Sequence, residues 1–174
     1  MRQMICLLMI GLLACTSIAS NQEESRTPLQ VGDDAPDFTL QDAEDHGHSL
    51  KEMRGNIVFL IMGNRKIWKE DDKWEHAFQK DYQPNDQVIA YIVADMRSVP
   101  GFVPKGFIKR QLKKNKPPVT LLLDWQGKVH EAYRTQKEKP NLYIINSDGK
   151  LAFHVKANFD TEIYQKMKAM IDRL

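Results

Sequence analysis

A chain of 174 residues with 42% hydrophobic and 28% charged residues has the material for one globular domain with a real core, which excludes an intrinsically disordered polypeptide. The formal charge is +2, and removing residues 1–15 takes away Arg2 and no acid, leaving 24 basic against 23 acidic residues, so no global attraction to nucleic acid is expected. Both cysteines, Cys6 and Cys15, lie near the N-terminus, and from Thr16 to Leu174 there is none, so that stretch cannot form an internal disulfide.

Taken in chain order, the first element is Met4–Ala14, an apolar run behind Arg2 that is broken only by Gly11. It is too short to span a bilayer as a helix and suits the hydrophobic region of an export signal. The run ends in Leu12-Leu13-Ala14-Cys15, which looks like a bacterial lipobox. That resemblance implies cleavage before Cys15 and lipid attachment to its thiol; cleavage after Ala19, behind Ser17-Ile18-Ala19, and a retained anchor are the other readings. Residues 16–30 are polar and read as a tether. The expected organisation is an export signal over 1–15, a tether over 16–30 and one domain over 31–174. A lipid with a tether anchors a protein to a membrane without spanning it. The expected location is the periplasm or a membrane of a bacterial cell envelope.

Within the domain, Asp37–Leu40 alternates as a short half-buried strand, Asp45-His46-Gly47-His48 makes a turn, and His48–Leu50 can return as its hairpin partner. Ile57–Met62 is a continuous apolar run, the mark of a strand buried on both faces. Lys69–Tyr82 reads as a helix, with Trp74 and Phe78 on one face and Glu70, Asp71 and Asp72 complementing the dipole in its first turn; Pro84-Asn85 closes it. Val88–Ala94 is a second buried strand, and Pro104–Lys114 a helix with Phe107, Ile108 and Leu112 inward. Val119–Leu123 is a strand, Asp124–Gly127 a turn and Val129–Tyr133 an extended return. Leu142–Asn146 and Lys150–Val155 form a hairpin across Ser147-Asp148-Gly149. The last helix starts at Asp160, a good N-cap, and buries Ile163, Met167, Met170, Ile171 and Leu174. This order implies an α/β domain, with a central mixed β-sheet flanked by helices and an N-terminal β-hairpin.

Four segments carry a family resemblance. Val31–Leu40, Ser49-Leu50 through Arg54-Gly55-Asn56, Pro118–Asp124 followed by Gly127, and Pro140 leading into Leu142–Asn146 and Gly149-Lys150 resemble, in that order, the thioredoxin-like redoxin superfamily of the alkyl hydroperoxide reductase / thiol-specific antioxidant type. Val99-Pro100-Gly101 and Phe107, ahead of a Lys-rich helix end, are similar to a smaller group, the cysteine-less YtfJ-type periplasmic proteins. The resemblance spans residues 31–174 and implies a thioredoxin-like fold. It also implies that Lys139-Pro140 stands where the family holds a cis-proline facing the active-site helix, with an ordinary trans proline at a strand start as the other reading. Laying Ile57–Met62 on the family's first core strand puts Lys66-Ile67-Trp68-Lys69 where Cys-x-x-Cys stands. Family chemistry needs a thiolate there, and Lys66 and Lys69 cannot provide one. No catalytic residue, cofactor or metal is therefore expected.

The remaining candidates have plain readings beside functional ones. His46 and His48, or Asp72 with His76, fall short of a metal-ligand set and read as solvated histidines. Lys105, Lys109, Arg110, Lys113, Lys114 and Lys116 read as a solvated helix face or as a contact for an anionic surface. Trp68, Trp74 and Trp125 read as core or rim residues, with Trp125 in a turn also able to mark a contact surface. The expected function is binding or accessory work, without catalysis, toward an envelope protein or peptide at the groove formed by Pro140 and the Lys66–Lys69 loop. The alternative is a redox-linked protein that acts with a separate thiol partner.

Overall fold

The computed structural model describes residues 29–82, 87–115 and 117–174. The export signal, Cys15, most of the tether, Pro84-Asn85 and Lys116 lie outside these residues.

The apolar run after Asn56 forms β3 (Ile57–Asn64), and every residue from Val58 to Gly63 is buried. Its side chains alternate: Val58, Leu60 and Met62 enter one core and Phe59 and Ile61 the other, as a period of two requires of a strand covered on both faces. β4 (Val88–Asp95) lies parallel to it in a continuous register from Ile57–Val88 to Asn64–Asp95, and β5 (Thr120–Asp124) continues the parallel set beyond β4. On the other side β6 (Asn141–Ile145) is antiparallel to β3 and β7 (Leu151–Lys156) antiparallel to β6. The N-terminal hairpin β1 (Thr39–Gln41) and β2 (Gly47–Ser49) joins the far edge through Gln41 and Leu123. The seven-stranded order is β2-β1-β5-β4-β3-β6-β7.

One face of the sheet carries α1 (Trp68–Asp81) and α4 (Thr161–Ile171). Trp74 and Phe78 pack there with Tyr164, Met167 and Ile171 over Phe59, Ile61, Leu142 and Ile144. The Asp160 carboxylate accepts the Ile163 amide at 2.9 Å, so α4 starts at the expected cap. It buries Tyr164, Met167 and Ile171, while Leu174 is exposed. The other face is closed by Phe38, by Leu50 and Met53 of a short 3-10 helix (Leu50–Met53), and by Val129 and Tyr133.

Two expectations are corrected. Residues 129–133 are not an extended return, because Lys128–Ala132 form a helical turn, α3. Val129 and Tyr133 are both buried, and a spacing of four satisfies either period; His130, also buried between them, breaks the alternation. The buried Asp124 decides the outcome. Its Oδ2 accepts the His130 amide at 3.0 Å and lies 2.9 Å from His130 Nδ1, which closes the turn behind Gly127 in the left-handed region (φ 72°). Burial raises the Asp124 carboxyl, but its bonds to His130 outweigh this and hold it below the usual carboxylate range.

The second correction concerns α2 (Lys105–Lys114), of which no residue is buried. Phe107, Ile108 and Leu112 face inward but line an open pocket instead of packing on the sheet. Their helix is held from outside the pocket: Lys109 pairs with Asp45 of the β1–β2 turn, and Lys105 Nζ lies 4.9 Å from the Trp125 ring centre.

Replacing Asp124 by alanine leaves two buried donors of the α3 turn without their acceptor. The expected cost is about 3 kcal/mol, with α3 losing amide-exchange protection before the central strands; urea denaturation with hydrogen exchange measures both.

Candidate functional site

The tip of α1 is where the family resemblance places chemistry, and its backbone is tied down by asparagines. Asn64, the last residue of β3, accepts the Lys66 amide on Oδ1 at 2.9 Å and donates from Nδ2 to the Lys137 carbonyl at 2.8 Å. Lys66 therefore lies in the turn before the helix and Lys69 in its first turn, both exposed, with Lys69 Nζ 5.8 Å from the Trp68 ring centre. Ile67, at the cap position, gives the helix no side-chain cap.

The Pro140 segment does stand beside this tip, since Met62 pairs with Asn141 in the β3–β6 register. The expected cis bond is absent. No cis peptide bond occurs among the described residues, so Lys139–Pro140 is trans. Trans is favoured at X–Pro bonds by about 0.5–1 kcal/mol, and Asn141 supplies a local reason for the observed path. Its buried Nδ2 lies 2.9 Å from the Lys139 carbonyl, 2.8 Å from that of Gln136 and 3.2 Å from that of Met62, while Oδ1 accepts the Gln136 amide at 2.7 Å. Pro140 is buried, and its carbonyl accepts the Ala157 amide at 3.1 Å. Two carbonyls of this edge, those of Lys139 and Pro140, are thus taken by the protein's own bonds.

On the opposite flank of the tip, over β4 and β5, the gap left by α2 forms a pocket of about 820 Å³. Ile92 and Leu121 floor it, Val103, Phe107, Ile108 and Leu112 wall it, and Arg65 and Trp68 stand at the tip end. Lys66 and Lys69 do not line it.

Into this pocket α1 turns two buried carboxyl groups, Asp71 and Glu75, beside the half-buried Asp72. They continue the buried stripe of Trp74 and Phe78 toward the helix N-terminus, so Asp71 does not sit on the solvated first turn that the charge pattern suggests. Glu75 has a partner: Oε1 accepts the Val119 amide at 2.8 Å, joining α1 to the residue before β5. Burial pushes its carboxyl upward in spite of that bond. Asp71 is only 5% exposed, and its Oδ1 meets no hydrogen-bond partner. Burial, then the charges of Asp72 and Glu70, push its carboxyl up to about 8. The position beneath it is Gly63, where even a methyl group would overlap the Asp71 carboxylate. The sequence held a usable signal for both acids, because Asp71, Glu75 and Phe78 stand at i, i+4 and i+7.

The other candidates are placed as follows. His46 and His48 both approach Asp42 Oδ2, each at 3.2 Å, and His48 packs edge-on against Tyr91. The Asp72 backbone carbonyl, and not its carboxylate, is bonded to His76 Nδ1 at 2.6 Å. Among the described residues no group of three His, Cys, Asp or Glu side chains is placed to hold a metal ion. Trp74 is buried, Trp68 exposed, and Trp125 half-buried beneath Lys105. A charged network unforeseen in the sequence joins the ends of β4 and β5: Arg97 bonds Asp95 at 2.7 Å and Glu131 at 2.7 Å, beside the Asp124–His130 pair.

Known proteins frame this geometry. Residues 31–154 match the AhpC/TSA family. Over 153 residues the chain is 28% identical to the thiol-disulfide oxidoreductase ResA of Geobacillus thermodenitrificans (strain NG80-2), covering 87% of this chain and 83% of that protein. Among solved structures, the exposed lipoprotein thioredoxin Etrx1 of Streptococcus pneumoniae strain TIGR4 superposes with a TM-score of 0.61 at 20% identity, over 77% of this chain and 99% of that one. A peroxiredoxin-like protein from Aquifex aeolicus gives 0.61 at 18% identity, over 83% and 90%. The fold is thioredoxin-like.

The Asp71 carboxyl titrates near 3.8 when unfolded and about 8 when folded, so between those values the unfolded chain has shed a proton that the folded chain keeps. Stability from this group is complete below the lower value and falls by about 1.4 kcal/mol per pH unit up to the upper one. Urea midpoints of the native protein should therefore drop relative to Asp71→Asn between pH 5 and pH 8. Parallel midpoints would mean that Asp71 is solvated.

Proposed function

The chain belongs to the AhpC/TSA family, and we propose that within it this protein works by binding, without thiol chemistry, at the bacterial cell envelope. One observation carries the reading: the fold is kept while no thiol exists between Thr16 and Leu174, and lysines occupy the positions that resemble Cys-x-x-Cys. A lysine ammonium holds no reversible two-electron couple of the kind a dithiol has. The export signal and the lipobox-like Leu12–Cys15 support an exported protein tethered by lipid on Cys15.

Binding belongs on the pocket side of the α1 tip. At the Pro140 side the Lys139 and Pro140 carbonyls are already bonded within the protein, so the peptide groove expected there has lost part of its pairing edge. The pocket between α1 and α2 is concave, mostly apolar and furnished with a few polar groups, the usual make-up of a ligand site.

The test uses the purified chain carrying Cys6→Ser and Cys15→Ser, with insulin disulfides and hydrogen peroxide as substrates. The expected rate is that of buffer alone. Turnover of either substrate by this thiol-free protein would overturn the reading, and turnover that appears only on adding a separate thiol protein would replace it with a redox-linked role.

A further inference from the structure

We propose that the pocket between α1 and α2 binds a small amphipathic primary amine, with its ammonium at Asp71 and its aliphatic chain along the inner face of α2. This inference rests on the binding role argued above and assigns that role a ligand class.

Three observations converge on that chemistry. The volume of about 820 Å³ admits an aliphatic chain, and the surfaces available to it are Ile92 and Leu121 below and Val103, Phe107, Ile108 and Leu112 alongside. Of these, Phe107, Ile108 and Leu112 form the apolar stripe of an amphipathic helix that would ordinarily be packed, and the open gap leaves them without that packing. A bound alkyl chain completes the layer that α2 leaves unfilled.

The second observation is the polar end. Asp71 lines the pocket, is more than nine-tenths buried, and keeps an oxygen without a donor. Buried polar atoms are nearly always paired, and in a residue that lines a ligand-sized space the missing donor is supplied most simply by the ligand. Glu75 is already held by the Val119 amide and leaves Asp71 as the acceptor for a newcomer.

The third observation is charge. Asp72, Glu75 and Asp95 line the same pocket, against Arg65 and His76 as the basic side chains of the lining. Arg97, the nearest guanidinium to Asp95, is spent on Asp95 and Glu131. A carboxylate or phosphate head would meet like charge from these acids, whereas an ammonium brings donors and the opposite sign, and beside it Asp71, protonated in the free protein, would give up its proton. An alcohol would offer a single donor and no charge.

The test titrates the full-length protein with dodecylammonium below its micelle concentration, following tryptophan fluorescence (Trp68 lines the pocket) and isothermal calorimetry. Laurate is the matched anion, and a short lysine-containing peptide is the alternative carrier of an alkylammonium group. Dodecylammonium is expected to bind with one-to-one stoichiometry, at least tenfold more tightly than laurate. Asp71→Asn should weaken it at least tenfold with the fold intact by circular dichroism, and Phe107→Ala, at an exposed position, should weaken it severalfold by removing chain contact. Binding of laurate as tight as the amine, or unchanged affinity in Asp71→Asn, overturns the proposal. Binding of the peptide in place of the free amine overturns the small-molecule assignment. Absence of all binding, with thiol turnover also absent, removes this ligand class and leaves the non-catalytic reading standing.

Discussion

Glu75 Oε1 accepts the amide of Val119 across 2.8 Å, and this bond fixes how α1 lies on the sheet. It connects the middle of the helix to the residue before β5 and so sets the width of the space between α1 and the outer parallel strands. A hydrogen bond to a buried carboxyl is a demanding constraint, because a buried acceptor that loses its donor cannot fall back on water. With this contact made on one flank, and Trp74 and Phe78 packed against α4 and β3 on the other, the helix has little freedom to roll. Asp71, one turn earlier on the same stripe, is carried inward above Gly63. α2, held outward by Lys109 and Lys105, leaves the groove open.

The result separates two things that the family resemblance joins. The scaffold of β3, α1 and the β6 start survives, with Asn64 and Asn141 holding the tip against the Pro140 segment through their side-chain amides. What has changed is the content of the tip. Lys66 and Lys69 point into solvent, the proline is trans, and the adjoining backbone is bonded internally. A carboxyl that burial raises strongly lies instead in the pocket on the other flank. Such perturbed groups mark functional sites when they face a cleft, as Asp71 does.

The fold was legible where pattern and burial agree. The run from Ile57 to Met62 could only be a strand covered on both faces, and Asp160 could only cap what followed it. The errors came where a local pattern has two solutions. Val129 and Tyr133 fit a strand and a helix equally until Asp124 chooses, and that choice depends on a buried side chain six residues from His130. The apolar stripe of α2 lines an open pocket where its pattern predicts inward packing, because no local pattern tells a packed layer from an unfilled one. The cis expectation at Pro140 rests on family position alone; the bond is trans, and Asn141 Nδ2 lies against the Lys139 carbonyl beside it. At the site, the acids on α1 were assigned to the dipole from their place in the first turn; their spacing from Phe78 held the contrary information and outweighs it.

The account turns on Asp71 being a neutral, desolvated acid inside the pocket at physiological pH. A titration of the protein labelled at aspartate carboxyl carbons, followed by carbon-13 NMR, reads this directly. The account requires the Asp71 resonance to move with a midpoint near 8, well separated from the exposed aspartates. A midpoint close to 4 would place the carboxyl in water and contradict it.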